Sequence, residues 1–298
     1  MSRESATAEH QQAVLERPPS RGRSAANLFL LLFSLGVMLP PYLLIYPLGR
    51  GIRRPYAAVW YRIACRLAGV RYRVEGEPTR DMSVLLVANH VSYLDIPLLG
   101  ALTNASFISK SEVSSWPLFG FLAKIADTLF IERIPTRAKL QSRRIAERLD
   151  GGESMILFAE GTSSPGDTVL PFKSALFGVV DILPEQLPLT VQPVTLAYTR
   201  FFNGEPLLES DRALYGWYGD MELLPHLRAV MGLQGVEVVV TFHSALPAQT
   251  FENRKLLAMH CHQQVARGLE HSLKRVFDFV MQNGTSKSPF CTQSSTAY

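Results

Sequence analysis

From about residue 70 the chain alternates short apolar runs with stretches of helical spacing. The apolar runs have the length of strands and lie at residues 83–88, 105–110, 128–133, 154–160, 190–198 and 236–246. Between them, the spacing of apolar residues predicts helices near 96–103, 112–126, 136–150 and 172–183, and a longer one near 249–280. Strands that alternate with helices indicate an α/β domain, with a mixed, largely parallel sheet flanked by helices.

The N-terminal part of the chain follows a different pattern. Residues 25–49 carry no charge and reach the length of a membrane span, but Pro40 and Pro41 interrupt the apolar run. Arginines flank both ends, which favours keeping both ends on the cytoplasmic side. We therefore expect a re-entrant or monotopic anchor at the cytoplasmic face of a bacterial-type inner membrane. One spanning helix and a buried core helix are the alternatives.

A basic amphipathic helix is predicted directly after this anchor. Seven arginines and no acid lie between Arg50 and Arg73. Pro55 can begin a helix, and Arg62 and Arg66 share one of its faces. Another face is apolar and consists of Tyr56, Val59, Trp60, Ile63 and Leu67. Such a helix suits an anionic membrane surface, and because the basic block adjoins an apolar anchor, nucleic acid is not an expected partner.

These patterns divide the chain of 298 residues into four parts. Residues 1–24 are polar and are predicted to be disordered, 25–69 form the membrane anchor and basic helix, 70–283 form the α/β domain, and 284–298 form a flexible tail. A hydrophobic content of 47% excludes a disordered protein. Three cysteines without a C-x-x-C pair indicate neither a disulfide framework nor a thiolate metal site.

The first candidate for chemistry is the stretch ANHVSYLDIP, residues 88–97. His90 directly follows an apolar strand, and Asp95 stands at the start of the next predicted helix. A carboxylate that holds the Nδ1 proton leaves Nε2 free to take a proton from an alcohol, so the pair could be a general base and its orienting acid. The alternative is structural: His90 caps the helix and Asp95 bonds a backbone amide.

A second strand ends in the same way. In FAEGTSSPGD, residues 158–167, an apolar run leads into a carboxylate and a glycine turn, and small hydroxyl residues follow. The backbone amides of such a turn could face an anionic or polar headgroup. Taken alone the signal is weak, because many turns after strands have this composition.

Four sequence blocks in order resemble the glycerolipid acyltransferase family, typified by 1-acylglycerol-3-phosphate acyltransferases. The resemblance covers roughly residues 55–245. The matching residues, in chain order, are Asn89, His90 and Asp95; Phe130, Ile131, Glu132 and Arg133; Glu160, Gly161 and Thr162; and Pro193.

This resemblance implies transfer of an acyl group from a thioester to the hydroxyl of a lysolipid. His90 would remove the hydroxyl proton, Asp95 would orient His90, and the oxygen would attack the thioester of acyl carrier protein or coenzyme A. Glu160, Gly161, Thr162 and Arg133 would hold the acceptor's headgroup. The resemblance requires no covalent acyl-enzyme, no metal and no cofactor beyond the thioester co-substrate.

Two positions depart from the family pattern. Ser163 replaces an arginine associated with the acceptor's phosphate, and serine cannot make the bidentate contact of a guanidinium. Either Lys173 or Arg133 compensates, or the acceptor has no phosphomonoester. The segments around EGTSS, LPFKSALFG and WYGDM resemble the branch that includes lyso-ornithine lipid acyltransferases, so both acceptors, with ornithine lipid or phosphatidate as product, stay open. Asp127 stands where the family often has glycine.

Several other features have two interpretations each. Residues 217–221, WYGDM, could line an acyl or acceptor channel or form a packed loop, and Lys110 and Lys124 could bind an acidic carrier or be ordinary surface lysines. The HCH run at 260–262 places adjacent side chains in different directions on a helix, which argues against a metal site. A thioesterase and a non-catalytic lipid-binding protein are the competing functions.

Overall fold

A computed structural model describes residues 3–79, 83–132, 135–182 and 189–283 of the chain. Two of the sequence predictions lie outside these residues. They are the headgroup role of Arg133 and the flexible tail at 284–298. All structural statements below refer to the described residues.

The domain is built on one mixed sheet, as the sequence predicts. The strands run in the order β1-β7-β6-β2-β5-β3-β4, and β8 pairs with β6. Neighbouring strands are parallel except at the β6/β7 and β6/β8 pairs. The strands are β1 (Val70–Glu75), β2 (Val84–Ala88), β3 (Ser106–Lys110), β4 (Leu129–Ile131), β5 (Met155–Phe158), β6 (Thr190–Phe201), β7 (Val236–Phe242) and β8 (Leu246–Pro247).

Helices cover both faces of the sheet. They are α1 (Arg3–Glu16), α2 (Arg21–Leu44), α3 (Arg50–Leu67), α4 (Asp95–Leu102), α5 (Phe119–Ile125), α6 (Ala138–Asp150), α7 (Leu223–Val230) and α8 (Arg254–Asn283). The central strand β2 is buried along its whole length. Because side chains alternate along a strand, Leu86 joins the core cluster that contains Leu98 of α4, and Leu85 joins the one that contains Leu149 of α6.

The prediction that residues 1–24 are disordered is wrong for the described part. Residues Arg3–Glu16 form α1, and its Ala6 and Ala13 are buried against the domain. The arginine at its end, Arg17, pairs with Asp211 at 2.8 Å. Because α1 is polar and buries two small residues, its sequence shows little apolar periodicity. Its order depends on tertiary contacts, which the sequence does not display.

The apolar segment is one helix, not two halves separated at Pro40 and Pro41. α2 continues through both prolines to Leu44. Proline usually kinks or ends a helix because it lacks the N–H donor and crowds the carbonyl four residues earlier, so this continuity was not expected from the sequence. Among the described residues, α2 is the one helix long and apolar enough to cross a membrane.

The outer surface of α2 is strongly apolar. Within α2 only Ser24 and Tyr42 are buried. The large exposed side chains of this helix are Phe29, Leu30, Leu32, Phe33, Val37, Leu43 and Leu44. A continuous apolar surface of this kind fits a lipid environment better than water, which agrees with the predicted membrane association.

The arginines from Arg50 to Arg73 were expected to face lipid headgroups. The first three of them, Arg50, Arg53 and Arg54, differ from this expectation. α3 begins at Arg50, before Pro55. Arg53 is 6% exposed and pairs with Asp127 at 2.7 Å, while Arg50 and Arg54 each lie 2.7 Å from a Glu153 oxygen. These arginines therefore join α3 to the domain. Asp127 has φ 59°, the region that favours glycine.

The remaining predictions differ in detail. The stretch 172–183 contains a short 3-10 turn at Ser174–Phe177 in its described part and no long helix. The predicted helix at 112–126 is a 3-10 turn, Ser111–Ser115, followed by α5. β1 and α7 were not among the predicted elements, although β1 (VRYRVE) alternates apolar and polar residues and five of the eight residues of α7 (LLPHLRAV) are apolar.

Candidate active site

His90 and Asp95 meet at the carboxyl end of the central strand β2. His90 Nδ1 lies 2.8 Å from Asp95 Oδ2. The His90 side chain is 18% exposed, whereas Asp95 is completely buried. The imidazole stacks on Phe158 of β5, with 4.0 Å between ring centroids. The ring is thus fixed on one face and at Nδ1, which leaves Nε2 as the nitrogen available to a substrate proton.

Asp95 receives further hydrogen bonds that hold its carboxylate in place. The backbone N–H groups of Val91 and Ser92 donate to Oδ2 at 2.7 and 3.0 Å. The Tyr198 hydroxyl donates to Oδ1 at 2.8 Å. The structural alternative for Asp95 was a bond to a backbone amide, and the structure contains both that bond and the contact with His90. A buried carboxylate with this many donors can stabilise an imidazolium without leaving its position.

Glu160 connects the second motif to the first. Its Oε1 accepts a hydrogen bond from the His90 backbone N–H at 2.8 Å, and its Oε2 accepts from Leu170 N–H at 3.0 Å. The residue is 1% exposed. Burial raises the pKa of Glu160 to about 7, although both backbone donors lower it. Because Glu160 bonds the backbone, it fixes the loop that carries His90.

The loop after β5 brings the predicted headgroup residues together. Gly161, Thr162 and Ser163 line the same cavity as His90. Gly161 has φ 72°, and a methyl group added there would lie 2.9 Å from Lys173 Nζ. The exposed Lys173 thus has its ammonium group beside the glycine turn.

An apolar cavity of about 460 Å³ extends from His90 beneath the N-terminal helices. Its volume is in the range of ligand pockets. Most of its wall is apolar or aromatic. Representative lining residues are Leu35 and Met38 of α2, Trp60 and Tyr61 of α3, Phe107 of β3 and Leu122 of α5. α2 and α3 therefore complete the cavity, and α2 also carries the exposed apolar surface.

The segment WYGDM forms another wall, so both interpretations of it hold. Trp217 N–H donates to Val91 O at 2.9 Å, and Trp217, Tyr218 and Gly219 line the cavity. From outside, α1 packs on this segment: Tyr218 OH donates to Glu9 Oε2 at 2.8 Å. The segment is thus a packed loop and a cavity wall at once.

Sequence reasoning missed three residues at this site. Phe158 stacks under the imidazole, Tyr198 bonds Asp95, and Glu9 holds Tyr218. Phe158 stands in the FAEGTSS segment and could have been found from that position. Tyr198 and Glu9 gave no signal, because neither belongs to a motif and both act through contacts distant in sequence.

Two other histidines, His226 and His262, have structural surroundings. Burial lowers the pKa of His226 to about 3, so its ring is neutral and pairs with Tyr93 OH at 3.0 Å. His262 lies 3.2 Å from Val169 O. In the part of the chain that the structure describes, no group of three or more His, Cys, Asp or Glu side chains is placed to hold a metal ion.

Comparison with known proteins gives the family of the chain. The family model described as Acyltransferase matches residues 71–197. The lyso-ornithine lipid O-acyltransferase of Brucella abortus is 39% identical over 241 residues, covering 79% of this chain and 90% of that relative. The 1-acyl-sn-glycerol-3-phosphate acyltransferase of Neisseria gonorrhoeae is 42% identical over 101 residues, covering 34% of this chain and 40% of that relative.

A solved structure shares the fold. The crystal structure of the 1-acyl-sn-glycerophosphate acyltransferase of Thermotoga maritima matches with a TM-score of 0.58 at 22% identity, and the match covers 89% of this chain and 100% of that one. The likeness to the Brucella abortus relative confirms the resemblance drawn from the four sequence blocks, and the chain belongs to the glycerolipid acyltransferase family.

Proposed function

We propose that this acyltransferase transfers a fatty acyl group from an acyl thioester to the hydroxyl of lyso-ornithine lipid, with His90 as general base. The observation that carries the proposal is the His90 Nδ1 to Asp95 Oδ2 contact of 2.8 Å at the end of an apolar cavity. A base with a fixed tautomer beside space for an acyl chain is the arrangement that such a transfer needs.

The chemistry proceeds by direct transfer. His90 Nε2 takes the proton of the acceptor hydroxyl while the oxygen attacks the carbonyl carbon of the thioester. The carbon–sulfur bond then breaks, and the thiolate recovers the proton from the imidazolium. Asp95 stabilises the imidazolium between these two steps.

The choice of acceptor rests on the headgroup loop. Lyso-ornithine lipid carries a carboxylate and an ammonium group but no phosphomonoester. Lys173 beside Gly161 offers a single cation, which balances the single charge of a carboxylate, whereas a phosphomonoester carries nearly two charges and Ser163 leaves out the arginine that would add a second cation. The likeness to the Brucella abortus relative over 79% of the chain, against 34% for the Neisseria gonorrhoeae relative, supports the same choice.

The thioester donor is acyl carrier protein or coenzyme A, and no further cofactor takes part. Both donors are cytoplasmic molecules, so the site would work at the cytoplasmic face of the membrane. The exposed apolar surface of α2 beside a cavity that α2 itself lines supports entry of the lysolipid from the bilayer.

The acceptor is tested with purified protein in detergent, using labelled acyl carrier protein and, in parallel, labelled acyl-coenzyme A. Lyso-ornithine lipid and 1-acylglycerol-3-phosphate are offered together at equal concentration, and the products are separated. We expect ornithine lipid to predominate. Predominant phosphatidate would contradict the acceptor, and absence of any product that depends on His90 would contradict the function.

A further inference from the structure

Tyr198 is a buried tyrosine outside the four sequence blocks that touches the catalytic pair. It lies on β6, is 2% exposed, and donates a hydrogen bond of 2.8 Å to Asp95 Oδ1. The other three donors to this carboxylate, His90 Nδ1 and the N–H groups of Val91 and Ser92, all meet Oδ2. Among the described residues, Tyr198 is thus the one hydrogen-bond partner of Oδ1.

We propose that Tyr198 is a positioning residue for acyl transfer, whose hydroxyl fixes Asp95 Oδ1 so that Oδ2 stays aligned with His90 Nδ1. The proposal rests on the proposed function in that it assigns His90 the role of base. Rotation about the soft χ2 torsion moves both carboxylate oxygens together. The Tyr198 donor on Oδ1 therefore adds to the restraint that the three donors place on Oδ2.

β6 holds the catalytic motif at two points. Asn89 and Leu196 exchange two hydrogen bonds, from Asn89 Nδ2 to Leu196 O at 2.9 Å and from Leu196 N to Asn89 Oδ1 at 2.8 Å. Tyr198 follows Leu196 by two positions and therefore projects to the same face of the strand. Asn89, which precedes His90, and Asp95, which contacts the His90 ring, are thus both hydrogen-bonded to β6.

The surroundings keep Tyr198 a donor. Burial raises the pKa of its hydroxyl well above the usual value, and the nearby Asp95, Cys65 and Tyr93 raise it further. The remaining titratable group beside the pair is Glu160, which bonds the His90 backbone. A phenol that stays protonated shares the negative charge of Asp95 throughout the working pH range.

Removing the hydroxyl has a consequence that a purely structural tyrosine would not have. Without this donor the carboxylate is less firmly aligned, which lowers the rate, and its charge is less dispersed, so it attracts the imidazolium more strongly while the Oδ2 contact is formed. His90 then remains protonated to higher pH. We expect Tyr198→Phe to lower kcat/KM about ten- to hundredfold and to move the acid limb of its pH profile upward by about half a unit to one unit.

The matched control is Tyr215→Phe. Tyr215 is also completely buried, and its hydroxyl accepts one hydrogen bond, from Gly235 N–H at 3.2 Å. It does not line the cavity. Both variants should lose a similar amount of thermal stability, but Tyr215→Phe should keep the wild-type pH profile.

Two further measurements keep the proposal testable if Tyr198→Phe fails to fold. Replacing Tyr198 alone with 3-fluorotyrosine keeps the hydroxyl and makes it a stronger donor, so the acid limb should move to lower pH. The proton between His90 and Asp95 is also followed by NMR in its downfield region, which requires no lysolipid. Its resonance should shift in each Tyr198 variant and not in Tyr215→Phe.

The NMR measurement separates the two claims. A wild type that acylates neither lysolipid would contradict the proposed function, while the shifted resonance would still support Tyr198. The positioning role is overturned if the Tyr198 variants keep the wild-type resonance and pH profile, or if their activity falls only in proportion to the folded fraction.

Discussion

The His90–Asp95 pair and the loop after β5, which we propose as the base and the headgroup site, lie at the ends of neighbouring parallel strands, β2 and β5, but they are held differently. Asp95 is completely buried and receives four hydrogen bonds. Thr162 and Lys173 are exposed at the other strand's end. Substitution of a buried, saturated group leaves polar atoms without partners, whereas an exposed side chain changes at small cost. The pair that would perform the chemistry therefore tolerates little change, whereas the loop that would select the acceptor can vary.

The largest effect that separates the two regions should come from His90→Ala. Loss of the general base removes both proton transfers, so kcat should fall by about 10²–10⁴-fold. Binding of the lysolipid should change little, because the headgroup contacts are on the other strand. Acyl transfer and lysolipid binding are measured separately, and a variant that retained wild-type kcat would contradict the role of the base.

The next largest effect should come from Glu160→Gln, and it should appear in the pH dependence of the free energy of unfolding. The folded state keeps the Glu160 proton up to about pH 7, while an unfolded glutamate loses it near 4.5. Between these values the folded state binds more protons, so its stability falls as pH rises, by on the order of 3 kcal/mol over the window.

Denaturant unfolding of wild type and Glu160→Gln across this window gives a difference profile with that slope. Glu147→Gln is the control, because Glu147 is an exposed residue of α6. A difference profile that is flat between pH 4.5 and 7 would show that Glu160 is ionised in the folded protein throughout.

Substitutions in the headgroup loop should change the acceptor, not the chemistry. Lys173→Met should raise the KM for lyso-ornithine lipid about tenfold, the value of one charge-assisted hydrogen bond. Ser163→Arg should shift preference toward 1-acylglycerol-3-phosphate because it restores a bidentate donor. Lys139→Met, an exposed lysine on α6, is the control. Unchanged KM values in both loop variants would remove these residues from the headgroup site.

The smallest effect is expected from Glu9→Gln. The Tyr218 hydroxyl loses a charged acceptor on α1, so the cavity wall it belongs to should loosen slightly. We expect a two- to threefold rise in lysolipid KM, of about 0.5 kcal/mol. Glu16→Gln on the same helix is the control, and a larger effect from it than from Glu9→Gln would argue against the contact.

Much of the sheet and the catalytic pair could be predicted because their signals are local. His90 and Asp95 lie five positions apart at a strand end, and the apolar runs of the strands have a clear length. What could not be predicted depends on long-range contacts. Tyr198 of β6 contacts Asp95 at the start of α4, which is distant in the sequence. α1 is ordered by its contacts with residues about two hundred positions away.

Two errors at the N-terminus have a common cause. Pro40 and Pro41 were interpreted as a break, and Arg50, Arg53 and Arg54 as part of a headgroup surface. Both interpretations followed local rules for proline and charge. In the structure α2 continues through the prolines, and the carboxylates of Asp127 and Glu153 lie opposite these three arginines, which cannot be inferred from the neighbouring sequence.

Direct acyl transfer to the lipid hydroxyl is tested by the release of thiol from an acyl thioester, in the presence of lyso-ornithine lipid or of the same lipid without its free hydroxyl. The proposed reaction predicts one thiol released for each ornithine lipid formed, dependence on His90, and no release with the deoxy lipid. Equal thiol release with both lipids would mean that water is the acceptor and would contradict acyl transfer to the lipid.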